Sequence, residues 1–577
     1  MNIKNKYFRF RILLVGALFL VSFALIAAKA IHLQIYRSPW LSQKASGQYQ
    51  HSLTTSGKRG IIYDRNLRQM AVSIHVTSIA TYPSRLKETN VTAKVLANIL
   101  KLDAAKIKGK LAANKPFVWI KRQTTAKETR AVKDLQIAGI DFVTEYNRFY
   151  PHTTLAAQAL GFTGLDGAGL EGIEFYYNQH LKGANKNFTV FKDALGNKFS
   201  ADSSQPANSS GHDLILTIDG NIQYITEKAL KEAVDRYSAL SALAIVMQPR
   251  TGAILSIAHY PLINPNTYTQ FDKSLWRNRA VTDSFEPGST MKIFSAAAAL
   301  ENGQTTAGSL FYCENGAYRI GKNVVHDIHK RGWLSLQQIV KFSSNIGAVK
   351  VGEKVGAKAL YLTLRNFGFG RKTGVDFPAE TSGRLSNYSH WSKMDIGAIS
   401  FGHGVSVSAI QMVSAVSAIA NDGILMKPYI VKQIVDQNNE PVKRFKPQKI
   451  RRAVSANTAK IVKNIMKTVI TEGGTGVNAA LDGYSVCGKT GTSRKLDETG
   501  QYSHNSHTAS FIGFTPAEKP EIAILVVVDE PKEKYYGGIV AAPVFKQIAQ
   551  QTLNYLNVPP DSDTTKLRVF LGREANG

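Results

Sequence analysis

Residues 12–28, ILLVGALFLVSFALIAA, are apolar or small without a break; Lys29 closes the run, and Ala30, Ile31 and Leu33 extend it. A bilayer core takes roughly 20 apolar residues in helical form, so the pattern predicts one spanning helix over 12–33. Lys4, Lys6, Arg9 and Arg11 precede it. By the positive-inside rule they hold residues 1–11 in the cytoplasm and put the rest of the chain outside. A cleaved secretory signal, cut at Ala28-Lys29-Ala30, is the competing reading. The charged middle residue and the long apolar run favour an uncleaved anchor.

After the anchor the pattern shortens. Alternating stretches at 60–63 and 70–79 predict strands, and spaced apolar residues over 91–111 predict a helix, so the region to about 199 reads as mixed α/β. Residues 201–212, ADSSQPANSSGH, are polar and turn-prone and predict a boundary. Beyond it, 214–218 reads as a strand and 223–236 as an amphipathic helix. Residues 243–247 and 253–258 read as a hairpin around Pro249-Arg250-Thr251-Gly252. Near the end 521–529, EIAILVVVD, is apolar and β-branched enough for a buried central strand. Strands at both ends of a long helical region predict one α/β domain whose sheet closes late. The expected division is therefore a tail (1–11), an anchor (12–33), a first exported domain (34–210), a second (211–558) and a polar tail (559–577).

Composition narrows the partners. With 44% hydrophobic and 20% charged residues in 577, the chain has the make-up of packed domains rather than of a disordered polymer. A net charge of +29 calls for a polyanionic neighbour: nucleic acid, lipid head groups, or an acidic polymer outside the cell. There is no zinc-finger spacing, no RNP-type strand and no dense basic block, so no nucleic acid is expected. The two cysteines, Cys313 and Cys487, exclude a disulfide-built scaffold and a four-cysteine zinc site. They leave one pairing open in an oxidising compartment, although Cys487 reads as a small buried side chain on a strand. Neither a metal nor a cofactor is expected.

The chemistry concentrates in Phe285-Glu286-Pro287-Gly288-Ser289-Thr290-Met291-Lys292. Pro and Gly make a turn, and an alanine-rich helical run follows, so Ser289 is expected at a helix N-terminus that favours developing negative charge. Lys292, three residues on, shares its face. A lysine in a dry pocket beside another cation loses its proton readily and can then take one from a hydroxyl. Ser-x-x-Lys alone is weak: Ser84-Arg85-Leu86-Lys87 matches and reads as a solvated helix start. Two later motifs strengthen Ser289. Ser343-Ser344-Asn345 lies 54 residues beyond it in a helical region, and Lys489-Thr490-Gly491-Thr492 lies 200 beyond at a strand end. Ser455-Ala456-Asn457, Ser503-His504-Asn505 and Lys372-Thr373-Gly374 match singly, the last as a surface turn, but without order and context.

These residues resemble the class B penicillin-binding proteins, and most closely their division-specific peptidoglycan transpeptidases of Gram-negative bacteria (FtsI, or penicillin-binding protein 3, type). The likeness runs nearly end to end. It includes Arg59-Gly60-Ile61-Ile62-Tyr63-Asp64-Arg65-Asn66, Arg148-Phe149-Tyr150-Pro151, Gly169-Leu170-Glu171-Gly172-Ile173-Glu174, Arg277-Asn278-Arg279, Ser400-Phe401-Gly402 and Tyr535-Tyr536-Gly537-Gly538. The resemblance implies an elongated α+β pedestal of the dimerisation type, then a mixed α/β transpeptidase domain, a sheet flanked by helices as in serine β-lactamases.

It also implies the roles. Ser289 would attack the carbonyl between the last two D-alanines of a peptidoglycan stem peptide, and Lys292 would take its proton. Ser343 would relay a proton to the leaving amine and Asn345 would hold the donor's amide. Lys489, with Thr490, Gly491 and Thr492, would clamp the terminal carboxylate, and the N–H groups of Ser289 and Thr492 would form the oxyanion hole. β-Lactams would acylate Ser289. The implied setting is the bacterial inner membrane at the septum, with a periplasmic catalytic domain and, as partners, an FtsW-like glycan polymerase and other division proteins. The arginine motifs of the first domain read as structural ion pairs. Two positions depart from the pattern: His403 stands where the family has Tyr and is expected to pack near the site, and Cys487 replaces an aliphatic residue on the strand face of Lys489. A D,D-carboxypeptidase, an elongation-type transpeptidase and a non-catalytic division scaffold are the alternatives.

Overall fold

A computed structural model describes residues 3–41, 50–55, 57–115, 117–184, 186–192, 198–200, 210–303, 305–496 and 501–561. Most of the expected boundary at 201–212 and of the tail at 559–577 lies outside them. The described chain forms two compact units, one from Met1–Gly57 with Ala184–Ser209 and one from Lys58–Gly183 with Ser210–Gly577.

The first unit holds the apolar helix, Ile3–Ile31, which runs on into a π-helical turn, His32–Tyr36. At 1.5 Å per residue its 29 residues span roughly 43 Å, more than a hydrocarbon core requires. Its large apolar side chains are exposed, as a lipid-facing helix requires and a core helix forbids. Among the described residues it is the one helix long and apolar enough to cross a membrane. The same unit contains a three-stranded sheet in which Gln50–Thr55 pairs antiparallel with Lys186–Lys192, and that strand with Lys198–Ser200.

The second unit contains two large sheets. Five antiparallel strands lie in the order Ile254–Tyr260, Ser241–Met247, Ile522–Asp529, Tyr502–Thr515, Cys487–Leu496. The expected hairpin is thus present, and Ile522–Asp529 is the central strand, every residue buried. Its alternate side chains serve two cores. Ile522, Ile524, Val526 and Val528 pack beneath the helices Gly220–Tyr237 and Ala542–Tyr555. Ala523, Leu525 and Val527 face the larger core, shared with the helices Lys292–Glu301 and Ala409–Ala420. A strand covered on both faces has no polar side to alternate with, hence the unbroken apolar run.

The other sheet has seven strands: Pro441–Arg444, Val431–Val435, Asp213–Leu216, Ile62–Tyr63, Gln69–Thr81 and Val118–Thr124 in order, with Ile140–Phe149 also paired to Gln69–Thr81. Here two expectations are corrected. The strand predicted at 214–218 joins this sheet, parallel to Ile62–Tyr63 and antiparallel to Val431–Val435, and not the five-stranded one. Local alternation sets which faces a strand buries, not which neighbours it pairs with. The helix predicted over 91–111 is two, Thr89–Leu100 and Ala104–Leu111. Lys101 turns left-handed at φ 52° to end the first, and the Asp103 carboxylate caps the second through Lys106 N–H.

The arginine motifs form the expected ion cluster. Arg59 Nε and Arg148 Nε lie 2.6 and 2.5 Å from the two oxygens of Glu174, all three side chains buried. Burial pushes the Glu174 carboxyl up, but Arg148 and Arg59 outweigh it and hold it below the ordinary value. Beside the shared seven-stranded sheet, buried side-chain bonds join residues before the expected boundary to residues after it, among them Ala156 N–H to Glu227 Oε1 at 2.8 Å and Tyr177 O–H to Asp376 Oδ2 at 2.8 Å.

Candidate active site

Ser289 lies in a 3-10 turn, Gly288–Met291, that feeds directly into the helix Lys292–Glu301. Two segments hold the turn. Phe285 exchanges both backbone hydrogen bonds with Val407 at 2.9 Å, and Gly288 N–H donates to Gly402 O at 3.2 Å. Gly402 adopts φ 92°, and a Cβ there would sit 2.0 Å from Gly288 O, so only glycine permits this approach. On the other side the strand Cys487–Leu496 closes in, with Ser493 Oγ donating to Glu286 O at 3.0 Å.

Lys292 is 1% exposed. Its Nζ lies 3.1 Å from Ser289 Oγ, 2.6 Å from Ser343 O, 3.2 Å from Ser343 Oγ and 2.7 Å from Asn345 Oδ1. Burial lowers it to about 7, against the pull of Asp327. A shift that large means the neutral amine is populated near neutral pH, as a base for a hydroxyl proton must be.

Ser343 lies in the expected helical region, at a break in it. It is the left-handed corner, φ 60° and ψ 38°, between the helices Leu336–Phe342 and Asn345–Val355. That corner turns its hydroxyl toward two lysines, since Lys489 Nζ lies 2.9 Å from Ser343 Oγ. Lys489 is fully buried, bonds Thr490 O at 3.0 Å, and is pushed far below the ordinary lysine value by burial and by Lys292. The cleft wall therefore presents Ser289, Ser343, Asn345, Thr490 and Thr492, with both lysines behind it. The cleft measures about 850 Å³. Tyr536-Gly537 seals the strand from above: Gly537 N–H donates to Thr492 Oγ1 at 3.1 Å, and a Cβ there would meet Gly491 O at 2.3 Å.

Two acidic residues near the site had no role assigned from the sequence, Glu286 inside the serine motif and Asp327 outside every motif. Glu286 stands behind two residues that line the cleft: its Oε2 lies 2.9 Å from His403 Nδ1 and accepts from Tyr502 O–H at 3.1 Å. His403 thus packs beside the site, as anticipated, but through a partner the pattern does not reveal. Asp327 accepts from Ser344 Oγ and Asn345 N, each at 2.5 Å. The single-motif matches lie in other roles. Ser455 caps the helix Ala456–Thr468, Glu380 accepts from Thr373 and Gly374 in an exposed turn, and Ser84 lies in the 3-10 turn Pro83–Arg85. Cys313 and Cys487 are separate free thiols, the first near Ser344 Oγ and the second against Lys463 O.

Comparison with known proteins agrees with this arrangement. Residues 242–550 match the penicillin binding protein transpeptidase domain, and 54–216 the penicillin-binding protein dimerisation domain. The chain is 35% identical to the "Probable peptidoglycan D,D-transpeptidase PenA" of Neisseria gonorrhoeae, over 95% of this chain and 93% of that one. It is 31% identical to the peptidoglycan D,D-transpeptidase FtsI of Escherichia coli K12, over 97% and 94%. Penicillin binding protein 3 of Mycobacterium tuberculosis, crystallised with aztreonam, superposes with a TM-score of 0.70 at 26% identity, over 88% of this chain and 98% of that one. A serine and a lysine in contact occur on many proteins; joined to this sheet and to relatives matched over nearly their full length, they have one explanation. The chain belongs to the penicillin-binding proteins and is a peptidoglycan D,D-transpeptidase.

Proposed function

We propose that the chain crosslinks stem peptides of septal peptidoglycan through an ester on Ser289, and that β-lactams block it by acylating the same hydroxyl. The observation that carries this reading is the contact chain Ser289 Oγ–Lys292 Nζ–Ser343 Oγ–Lys489 Nζ, at 3.1, 3.2 and 2.9 Å. Neutral Lys292 takes the Ser289 proton as Oγ attacks the carbonyl between two D-alanines. The N–H groups of Ser289 and Thr492 receive the oxyanion, a donor there being worth about 3 kcal/mol. The proton then passes from Lys292 through Ser343 to the departing D-alanine nitrogen as the C–N bond breaks. A stem-peptide amine attacks the ester, its proton returns by the same route, and Ser289 is released as the new amide forms. Asn345, at the cleft wall, orients the donor's amide. Because Lys489 is wholly buried, the carboxylate of the leaving residue meets Thr490 and Thr492, and Lys489 acts from beneath through Thr490 and Ser343.

Residues 1–11 are then a cytoplasmic tail, 12–33 a single-pass inner-membrane anchor, 34–210 the pedestal and 211–558 the periplasmic transpeptidase domain, ahead of a tail at 559–577. An FtsW-like polymerase supplies the strands it joins. The test is labelling of the full-length protein in detergent with a fluorescent penicillin, beside Ser289→Ala. The parent takes the label and the variant does not; equal labelling of both rejects Ser289 as nucleophile. Supplying a stem-peptide donor with and without an amine acceptor then separates crosslinking from hydrolysis.

A further inference from the structure

Asp327 lines the cleft just after the hairpin of the strands Ala317–Ile320 and Asn323–His326. Its carboxylate is committed to the corner that carries Ser343. Oδ1 accepts from Asn345 N–H at 2.5 Å and Ile346 N–H at 3.1 Å, and Oδ2 accepts from Ser344 Oγ at 2.5 Å. Ser344 Oγ in turn accepts from Gly347 N–H at 2.9 Å. The same hairpin end grips the Asn345 side chain, whose Nδ2 donates to His326 O at 3.0 Å, leaving Oδ1 aimed at Lys292. Such a grip has a purpose. A side-chain-bearing residue at positive φ is strained, and Ser343 stays there only if its neighbours over-determine the turn. Charge-assisted bonds from a carboxylate to backbone N–H groups are among the strongest available.

We propose that Asp327 is a positioning residue for the transpeptidation. Its carboxylate locks the Ser343–Asn345 corner so that Ser343 Oγ and Asn345 Oδ1 meet Lys292 Nζ in register for proton transfer, and its charge acts on Lys292 across that corner. The inference rests on the reading that Lys292 accepts the Ser289 proton. From the elements packed against it, the charged groups that face Lys292 are Asp327 on the hairpin side and Lys489 on the strand side. Asp327 favours the ammonium, so removing its charge makes Lys292 give up its proton at lower pH.

The experiment is the rate constant for acylation of the full-length protein by a fluorescent penicillin as a function of pH, for the parent, Asp327→Asn and Asp327→Glu. Asparagine keeps the shape and loses the charge: its plateau falls about tenfold or more, the size of one charged hydrogen bond, and its acid limb moves to lower pH. Glutamate keeps the charge and misplaces it: its plateau falls similarly with the limb unmoved. An Asn variant with the parent's plateau overturns the proposal. So does a lowered plateau with an unmoved limb in that variant, which would leave Asp327 a structural residue only. If the Asn variant does not fold, the Glu variant decides, and a parent-like plateau in it overturns the proposal. Failure of the underlying reading looks different: the parent itself shows no acid limb, or Ser289→Ala still takes the label.

Discussion

Lys292 and Lys489 donate to the same hydroxyl: their Nζ atoms lie 3.2 and 2.9 Å from Ser343 Oγ. Two ammonium groups this close in a dry site repel strongly, so protonating both is costly and the pair favours a neutral amine. The consequence is kinetic. Lys292, lowered to about 7 by burial, must be unprotonated to act, so acylation by a penicillin rises as pH rises through about 7 and is lost below it. Stopped-flow acylation across that range checks this, and a rate already at its plateau by pH 5 rules it out.

Gly402 controls where Ser289 stands. A methyl group at this position would drive into Gly288 O from 2.0 Å at a φ of 92°, so Gly402→Ala displaces the 3-10 turn. A shift of about 1 Å in a reacting group costs on the order of 100-fold. The expected result is a loss of that size in acylation rate, with circular dichroism unchanged. Unaltered acylation would show that the turn does not depend on this contact.

Glu174 neutralises two buried arginines, and removing it strands both. Glu174→Ala is expected to lower unfolding stability by about 3–5 kcal/mol, measured in urea with penicillin labelling as a fold check. Because the folded carboxyl is held below its unfolded value of 4.5, its contribution is present above that pH and fades as pH falls through the folded value. The gap between parent and variant therefore narrows in acid. A gap that widens there contradicts the assignment.

Both thiols are buried, and burial raises each above the ordinary cysteine value. Thiolate is the reactive form, so neither Cys313 nor Cys487 is expected to react with a thiol reagent in the native protein over hours, and both react after unfolding. Reaction of Cys487 in the native protein would contradict its burial on the strand that carries Lys489.

What the chain determined on its own is what nearest neighbours along it decide. An unbroken apolar run beside basic residues marks the anchor. Short apolar, β-branched runs bounded by turn residues mark the strands Ser241–Met247, Ile254–Tyr260 and Ile522–Asp529. Three-residue spacing on a helical turn puts Lys292 beside Ser289, and the arginine motifs foretold the ion cluster on Glu174. Tertiary structure decided the rest. It sent the strand Asp213–Leu216 into the sheet of Ile62–Tyr63, because hydrogen-bonding edges are interchangeable until packing selects one. It buried Lys489 completely behind Ser343 and Thr490, and set Ser343 at a left-handed corner between two helices. It also brought in Asp327 and Glu286, two ordinary carboxylates whose importance lies in what they face. Spacing along a chain cannot encode that, because burial and charge at a site are summed over segments hundreds of residues apart.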